Sequence, residues 1–181
     1  MNAASAAYAT LADFHARSRH LAVQLPIEQQ RTEQWSGIGV VLGGVRLVAP
    51  LDQVAEILNQ PPYTRVPGVL NWLKGVANVR GRLMTVMDLP GFLDLPSTVP
   101  ERRRRLLVVD EGDLYTGMAV DEVLGMQHFP PSAWRDTPPP VSGPLAPYID
   151  GAYERDGQWW PVLSLHRLVD DPRFLDVARS H

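Results

Sequence analysis

The sequence predicts an all-β fold of small β-barrels, in which one structural unit is built twice along 181 residues. The first observation is a repeat. WLKGVANVRGRLMTVMDLPGFL (Trp72 to Leu93) returns 76 residues later as YIDGAYERDGQWWPVLSLHRLV (Tyr148 to Val169), so that Gly75 meets Gly151, Gly81 meets Gly157, Val86 meets Val162 and Leu89 meets Leu165. The second is an upstream echo in the same order. Ile38 to Ile57 aligns at an offset of 69 with Leu107 to Met126, pairing Val40 with Val109, Gly43 with Gly112, Asp52 with Asp121 and Val54 with Val123. The seven-residue difference in offset falls in a Pro-rich connector in both copies, where length changes are tolerated. Catalytic residues do not recur in this way, whereas architecture does. The third is the run of short apolar segments punctuated by 14 Gly and 17 Pro; closing such short strands into barrels hides their edges.

The elements follow in chain order. Apolar Tyr8, Leu11, Phe14, Leu21 and Leu25, with small Ser18, keep a helical spacing and predict one amphipathic helix over residues 8–25, ended by Pro26. A polar segment, residues 28–34, then leads to strand-like periodicity. Residues 38–42 and 45–48 flank Gly43-Gly44, which are free to take the positive φ of a two-residue hairpin turn. Residues 51–58 suit either a short helical turn or a strand end. Residues 76–79 and 83–87 flank the turn Arg80-Gly81-Arg82, after which Asp88 can cap a helical turn through Leu93. The second copy repeats this with strands at 105–110 and 114–120, then 149–155 and 159–163 around Asp156-Gly157, a strong hairpin signal. Residues 164–169 close the copy, and Asp171-Pro172 caps a short C-terminal helix containing Phe174 and Val177.

Composition and motifs exclude several kinds of chemistry. A net charge of −3 and a pI near 5.9 remove any general attraction to nucleic acid or anionic membranes. There is no Cys, hence no disulfide, thiolate nucleophile or Cys-bound zinc, which fits a reducing cytoplasm. No apolar run approaches the roughly 20 residues of a spanning helix. The five His show no HExxH or paired-ligand spacing, so no metal site is expected. Gly75 to Gly81 lacks the GK[ST] ending of a P-loop, and neither Ser36 nor Ser142 lies in a GxSxG elbow, so no catalytic residue and no cofactor are expected. The charge run Glu101 to Arg105 reads as a solvated linker, because a nucleic-acid patch would need interleaved aromatics or further basic clusters.

Four motifs in order carry a more specific signal: Val54-Ala55-Glu56-Ile57, Asn78-Val79-Arg80-Gly81, Val86-Met87-Asp88-Leu89 and Val120-Asp121-Glu122-Val123. Over about residues 34–170 the chain resembles the CheW family of chemotaxis coupling proteins, with Thr85 where that family usually carries Pro. The arm FHARSRHLAVQLP narrows the resemblance to the branch serving type IV pilus signalling and twitching motility. The resemblance implies two small five-stranded SH3-like β-barrels packed side by side. It divides the chain into an N-terminal helical extension (1–33) and a CheW-like domain (34–177), with a first barrel unit at about 34–96, a linker at 97–104 and a second unit at about 105–170. It also implies a non-catalytic cytoplasmic adaptor, recruited to receptor arrays. Its partners would be the regulatory domain of a CheA-like histidine kinase and the cytoplasmic tip of a methyl-accepting chemoreceptor of the PilJ type. Glu56 and Arg80 would pair at the surface where receptor and kinase meet, with Val54, Val79 and Gly81 nearby. The repeat singles out Arg80 independently: Asn78 and Arg80 become Glu154 and Asp156 in the second copy, so the shared scaffold does not require them. The alternative is a nucleic-acid-binding small β-barrel protein, although neither nucleic acid nor direct membrane insertion is expected.

Overall fold

The computed structural model describes residues 34–136, 141 and 143–175, so the expected helix over residues 8–25 and Val177 lie outside the described residues. Eleven strands form two sheets there: β1 (Trp35–Leu42), β2 (Val45–Pro50), β3 (Glu56–Asn59), β4 (Leu73–Val79), β5 (Arg82–Asp88), β6 (Arg105–Glu111), β7 (Leu114–Val120), β8 (Glu122–Phe129), β9 (Trp134–Arg135), β10 (Ile149–Arg155) and β11 (Gln158–Leu163). Short helices α1 (Leu89–Phe92) and α2 (Leu165–Val169) close the two copies, and α3 (Pro172–Leu175) follows Asp171. None of the described helices is long and apolar enough to cross a membrane. Residues 51–58 resolve into both readings, a 3-10 turn at Leu51–Gln53 and then β3.

The first sheet runs β8-β1-β2-β11-β10-β9 and the second β3-β6-β7-β5-β4. Within each copy the first hairpin and the last hairpin part company. Hairpin β1–β2 joins β11 of the other copy in parallel, Val48 opposite Val162, and β7 joins β5 in parallel, Thr85 opposite Thr116 through Asp88 opposite Ala119. The sequence copies are therefore the repeating units, while each sheet draws strands from both.

Both sheets curl until side chains of outlying strands meet. Five strands about 4.8 Å apart would leave β3 and β4 roughly 19 Å from each other in a flat sheet. Yet Glu56 at the start of β3 lies 3.0 Å from Arg80 at the end of β4. Likewise Phe129 of β8 and Tyr153 of β10 stack with ring centroids 4.7 Å apart. Strand alternation then sorts side chains into three cores. Val86, Met84, Leu106 and Val108 fill the second sheet, and Val48, Phe129, Trp160 and Val162 fill the first. Val40, Leu42, Leu47, Met87, Leu107, Val109 and Met118 pack between the sheets with Leu89 and Leu165. The repeat identities thus serve two purposes, Val86 and Val162 lining the two inner cores and Leu89 and Leu165 sharing the central one.

The repeated glycines are likewise of two kinds. Gly75 and Gly151 mark register shifts in β4 and β10, where a neighbouring segment crosses against the strand. A Cβ on Gly75 would come within 2.1 Å of the Thr64 carbonyl oxygen, and one on Gly151 within 2.3 Å of the Trp134 ring. Gly81 and Gly157 instead hold hairpin turns at φ 82° and 72°, with open space around them. Strand β8 has no unbroken alternation to betray it, because Gly125 at φ 82° bulges it against Gly39 and Val40.

In the Glu101 to Arg105 run, Arg102, Arg103 and Arg105 are exposed as a solvated linker would be, but Arg104 is not. Arg104 is 9% exposed and is gripped from three sides. Its guanidinium donates to Asp88 Oδ1 at 2.6 Å, to Ser97 Oγ at 2.9 Å and to the Val99 carbonyl at 3.1 Å, and lies 3.6 Å from Asp121 Oδ1. Asp121 also accepts the Gly43 amide at 2.8 Å and the Ser97 hydroxyl, while Asp88 pairs with Lys74 at 3.2 Å. Glu101 accepts from Tyr63 at 2.6 Å and Gln60 at 2.9 Å, and these bonds hold its carboxyl below the usual carboxylate range. Arg104 turns inward because buried Asp121 and half-buried Asp88 need a cation more than one arginine needs water.

Two outcomes follow for urea unfolding. Gly75→Ala destabilises by about 3 kcal/mol, since a backbone oxygen must move, whereas Gly81→Ala costs about 1 kcal/mol of turn strain; the reverse order would refute this account of the bulge. Arg104→Met costs about 3–5 kcal/mol by leaving Asp88 and Asp121 uncompensated, and a loss below about 1 kcal/mol would show that the network is not structural.

Candidate functional site

The β4–β5 hairpin turns through Arg80 and Gly81 at φ 51° and 82°, so both residues are left-handed, as are Asp156 and Gly157 in the matching turn. Two consecutive positive φ values make the tight turn that suits the twist of a hairpin, and Asn, Asp and Gly are the residues that adopt them readily. Asn78 supports the turn by accepting the Gly81 amide at 2.9 Å. An arginine in this conformation costs about 1 kcal/mol relative to glycine. The turn therefore gives no reason for Arg80; its side chain, 77% exposed, must supply one.

That side chain reaches Glu56 at 3.0 Å across the closure of the second sheet. Behind the pair stands a further set of polar groups. The Tyr115 hydroxyl donates to Glu56 Oε1 at 3.3 Å, and Arg82 donates to both Asp110 oxygens at 2.6 and 2.9 Å. The Arg82 guanidinium also sits 4.1 Å from the Tyr115 ring centre, a cation–π contact. Burial, and then the charge of Glu56, push the Tyr115 phenol up from its ordinary value, while the Arg82 hydrogen bonds hold the Asp110 carboxyl down. Glu56, Arg82, Asp110 and Tyr115 share a strand face with Leu58, Met84, Val108 and Gly117, two residues away in each case, so they rim the mouth of the second sheet's core. Leu83, 73% exposed, stands beside the rim on the outer face, and Ile57 is exposed nearby on β3.

Five residues were expected at this site, and four are gathered here. Glu56, Arg80 and Gly81 meet at the rim, and Val79 packs on the core beneath. Val54 lies apart, half-buried against the central core at the end of the 3-10 turn. Sequence reasoning missed Tyr115, Arg82 and Asp110. A polar residue at the last inward position of a strand is the signal that could have found them, and it becomes readable only when the register is known. No group of three His, Asp or Glu among the described residues could hold a metal ion. The rim offers exposed charge beside exposed apolar side chains, the chemistry of protein recognition.

Comparison with known proteins bears on the family and the fold. The CheW-like domain model matches residues 36–173. The chain is 48% identical over 168 residues to the protein PilI of Pseudomonas aeruginosa, covering 93% of this chain and 94% of that one. It is 30% identical over 141 residues to the protein FrzA of Myxococcus xanthus, covering 76% and 87%. Among solved structures it superposes on the scaffolding protein TtCheW of Thermoanaerobacter tengcongensis with a TM-score of 0.67 at 19% identity, covering 77% of this chain and 94% of that one.

Because the turn disfavours arginine and an exposed ion pair contributes only about 0–1 kcal/mol, Arg80→Asn keeps or slightly raises the stability of the fold. Thermal unfolding followed by circular dichroism checks this, and a loss above about 1 kcal/mol would mean that the pair holds the sheet closed.

Proposed function

The chain belongs to the CheW-like domain family, as a scaffold and not an enzyme, and from that premise we propose that it couples a chemoreceptor to a histidine kinase in type IV pilus signalling. The receptor would be methyl-accepting and PilJ-like and the kinase CheA-like, so that the adaptor works at membrane-associated arrays. The likeness to PilI across nearly the whole of both chains supports the pilus assignment. The contact surface would comprise Glu56, Arg80, Gly81, Val79 and Val54, the first four gathered around the rim of the second sheet and Val54 reached along the edge of β3.

One observation carries this reading: Arg80 occupies a strained, left-handed position with its guanidinium in solvent, where nothing in the fold calls for arginine. Strain retained without structural need belongs with function, and Arg is favoured at the anchoring points of interfaces. Glu56 holds the guanidinium in place before a partner arrives, which lowers the ordering cost of binding.

Arg80→Glu leaves the fold intact and weakens binding to the receptor tip or to the kinase regulatory domain at least tenfold, about 1.4 kcal/mol. Titration of each partner separately, and then together, checks this. Unchanged affinity for both would remove Arg80 from the interface.

A further inference from the structure

The internal repeat places one site twice and fills it once. Arg104, just before β6, corresponds to Trp35 at the start of β1; Asp121, after β7, corresponds to Asp52 after β2; and Lys74 on β4 corresponds to Asp150 on β10. At this end of the second sheet the chain supplies its own cation, Arg104, to Asp121 and Asp88. At the matching end of the first sheet, among the described residues, Arg167 pairs with Asp150 but no cation pairs with Asp52. Trp35 replaces the arginine, Ser164 replaces Asp88, and Asp150 replaces the lysine.

What stands there instead is an open pocket of about 330 Å³ with aromatic walls and acidic edges, lined by Trp35, Trp134, Tyr153, Asp52 and Asp150 among others. Trp35 stacks on Tyr153 at 4.7 Å, and Trp134 meets Tyr153 edge-on at 5.0 Å. The Trp134 indole is fixed by donating to Asp136 at 2.7 Å, and its ring lies so close over Gly151 that no side chain fits between them. Asp150 is partnered by Arg167 at 2.8 Å. Asp52 is exposed and has no hydrogen bond or ion pair among the described residues, and the hydroxyl of Tyr153 opens on the same pocket.

We propose that this pocket receives the guanidinium of an arginine side chain presented by a partner protein. Planar guanidinium stacks on aromatic faces and pairs with carboxylate, which is what the two tryptophans and Asp52 offer; an ammonium satisfies the second requirement but stacks less well. The pocket is the first sheet's counterpart of the site that Arg104 fills in the second, so the protein's own structure shows which group fits the shared framework. It lies on the other sheet from Glu56 and Arg80, and it is independent of the receptor and kinase assignment.

The test uses the full-length, isotope-labelled chain and three capped tripeptides, acetyl-Gly-Arg-Gly-amide and its citrulline and lysine counterparts, followed through the tryptophan indole resonances. The arginine peptide shifts Trp35 and Trp134 but not Trp72, which belongs to the central core. Citrulline, equal in shape but uncharged, binds at least about fivefold more weakly, and lysine binds more weakly than arginine. Asp52→Asn, at an exposed position that the fold does not use, brings arginine down to the citrulline level without changing the unfolding temperature. Absence of shifts at the two indoles, equal binding of citrulline, equal binding of lysine, or an unaltered response in Asp52→Asn would each overturn the proposal.

Discussion

The parallel pairings β2–β11 and β5–β7 are what the rest of the structure depends on, because they bind each copy of the repeat to the other. Neither copy contains a complete sheet, so neither can bury its inner core unaided. Val86 is covered by Leu106 and Val108 of the second copy, and Val162 by Val48 of the first. The central core tightens the same bond, since Leu89 and Leu165 end their copies by packing into a cluster that both share. Two small barrels folding separately would each have too little interior to be stable, whereas interleaved strands make one cooperative unit of about 140 residues.

The Arg104 network sits at the same junction and gives physical meaning to two of the sequence motifs. Asp88 of Val86-Met87-Asp88-Leu89 caps α1 by accepting the Gly91 amide, and Asp121 of Val120-Asp121-Glu122-Val123 holds the Gly43 amide of the first hairpin. Arg104, from the connector between copies, joins them. Asp88 and Asp121 therefore serve the scaffold, since both are largely withdrawn from solvent and satisfied, while Glu122 of the second motif is exposed. The motifs around Glu56 and Arg80 differ in kind, because their charges face solvent and their removal leaves no buried group unpaired.

How much could be read in advance follows from how local each signal is. Hairpin turns at Gly43, Arg80-Gly81, Gly112 and Asp156-Gly157 were legible because positive φ leaves a residue-level mark. So were the capped helix after Asp88 and the closing turn over residues 164–169, and so was the nearness of Glu56 and Arg80, though the last rested on family likeness and not on spacing. Strand exchange was not legible, because both halves carry the same pattern and either pairing satisfies it. Arg104 was misread for a related reason. Among four consecutive arginines nothing local tells which one meets Asp88 and Asp121, and those partners lie 16 and 17 residues away on opposite sides. The rim residues Tyr115, Arg82 and Asp110 needed a register that only the sheet supplies.

A chain that builds one framework twice offers its own control for each position. Where both copies keep a residue, as at Gly75 and Gly151, a steric demand of the backbone accounts for it. Where they differ, the framework has already been shown to fold with either choice. At the hairpin tip one copy carries Asp156, which suits a left-handed turn, and the other carries Arg80, which does not. At the sheet end one copy buries Arg104 between carboxylates, and the other leaves Asp52 facing an aromatic pocket. The two sheets are therefore equal in architecture and unequal in surface chemistry, one presenting a guanidinium and the other a place to receive one. On the proposed reading, that division is what would let a molecule with internal two-fold likeness meet unlike partners through its two sheets.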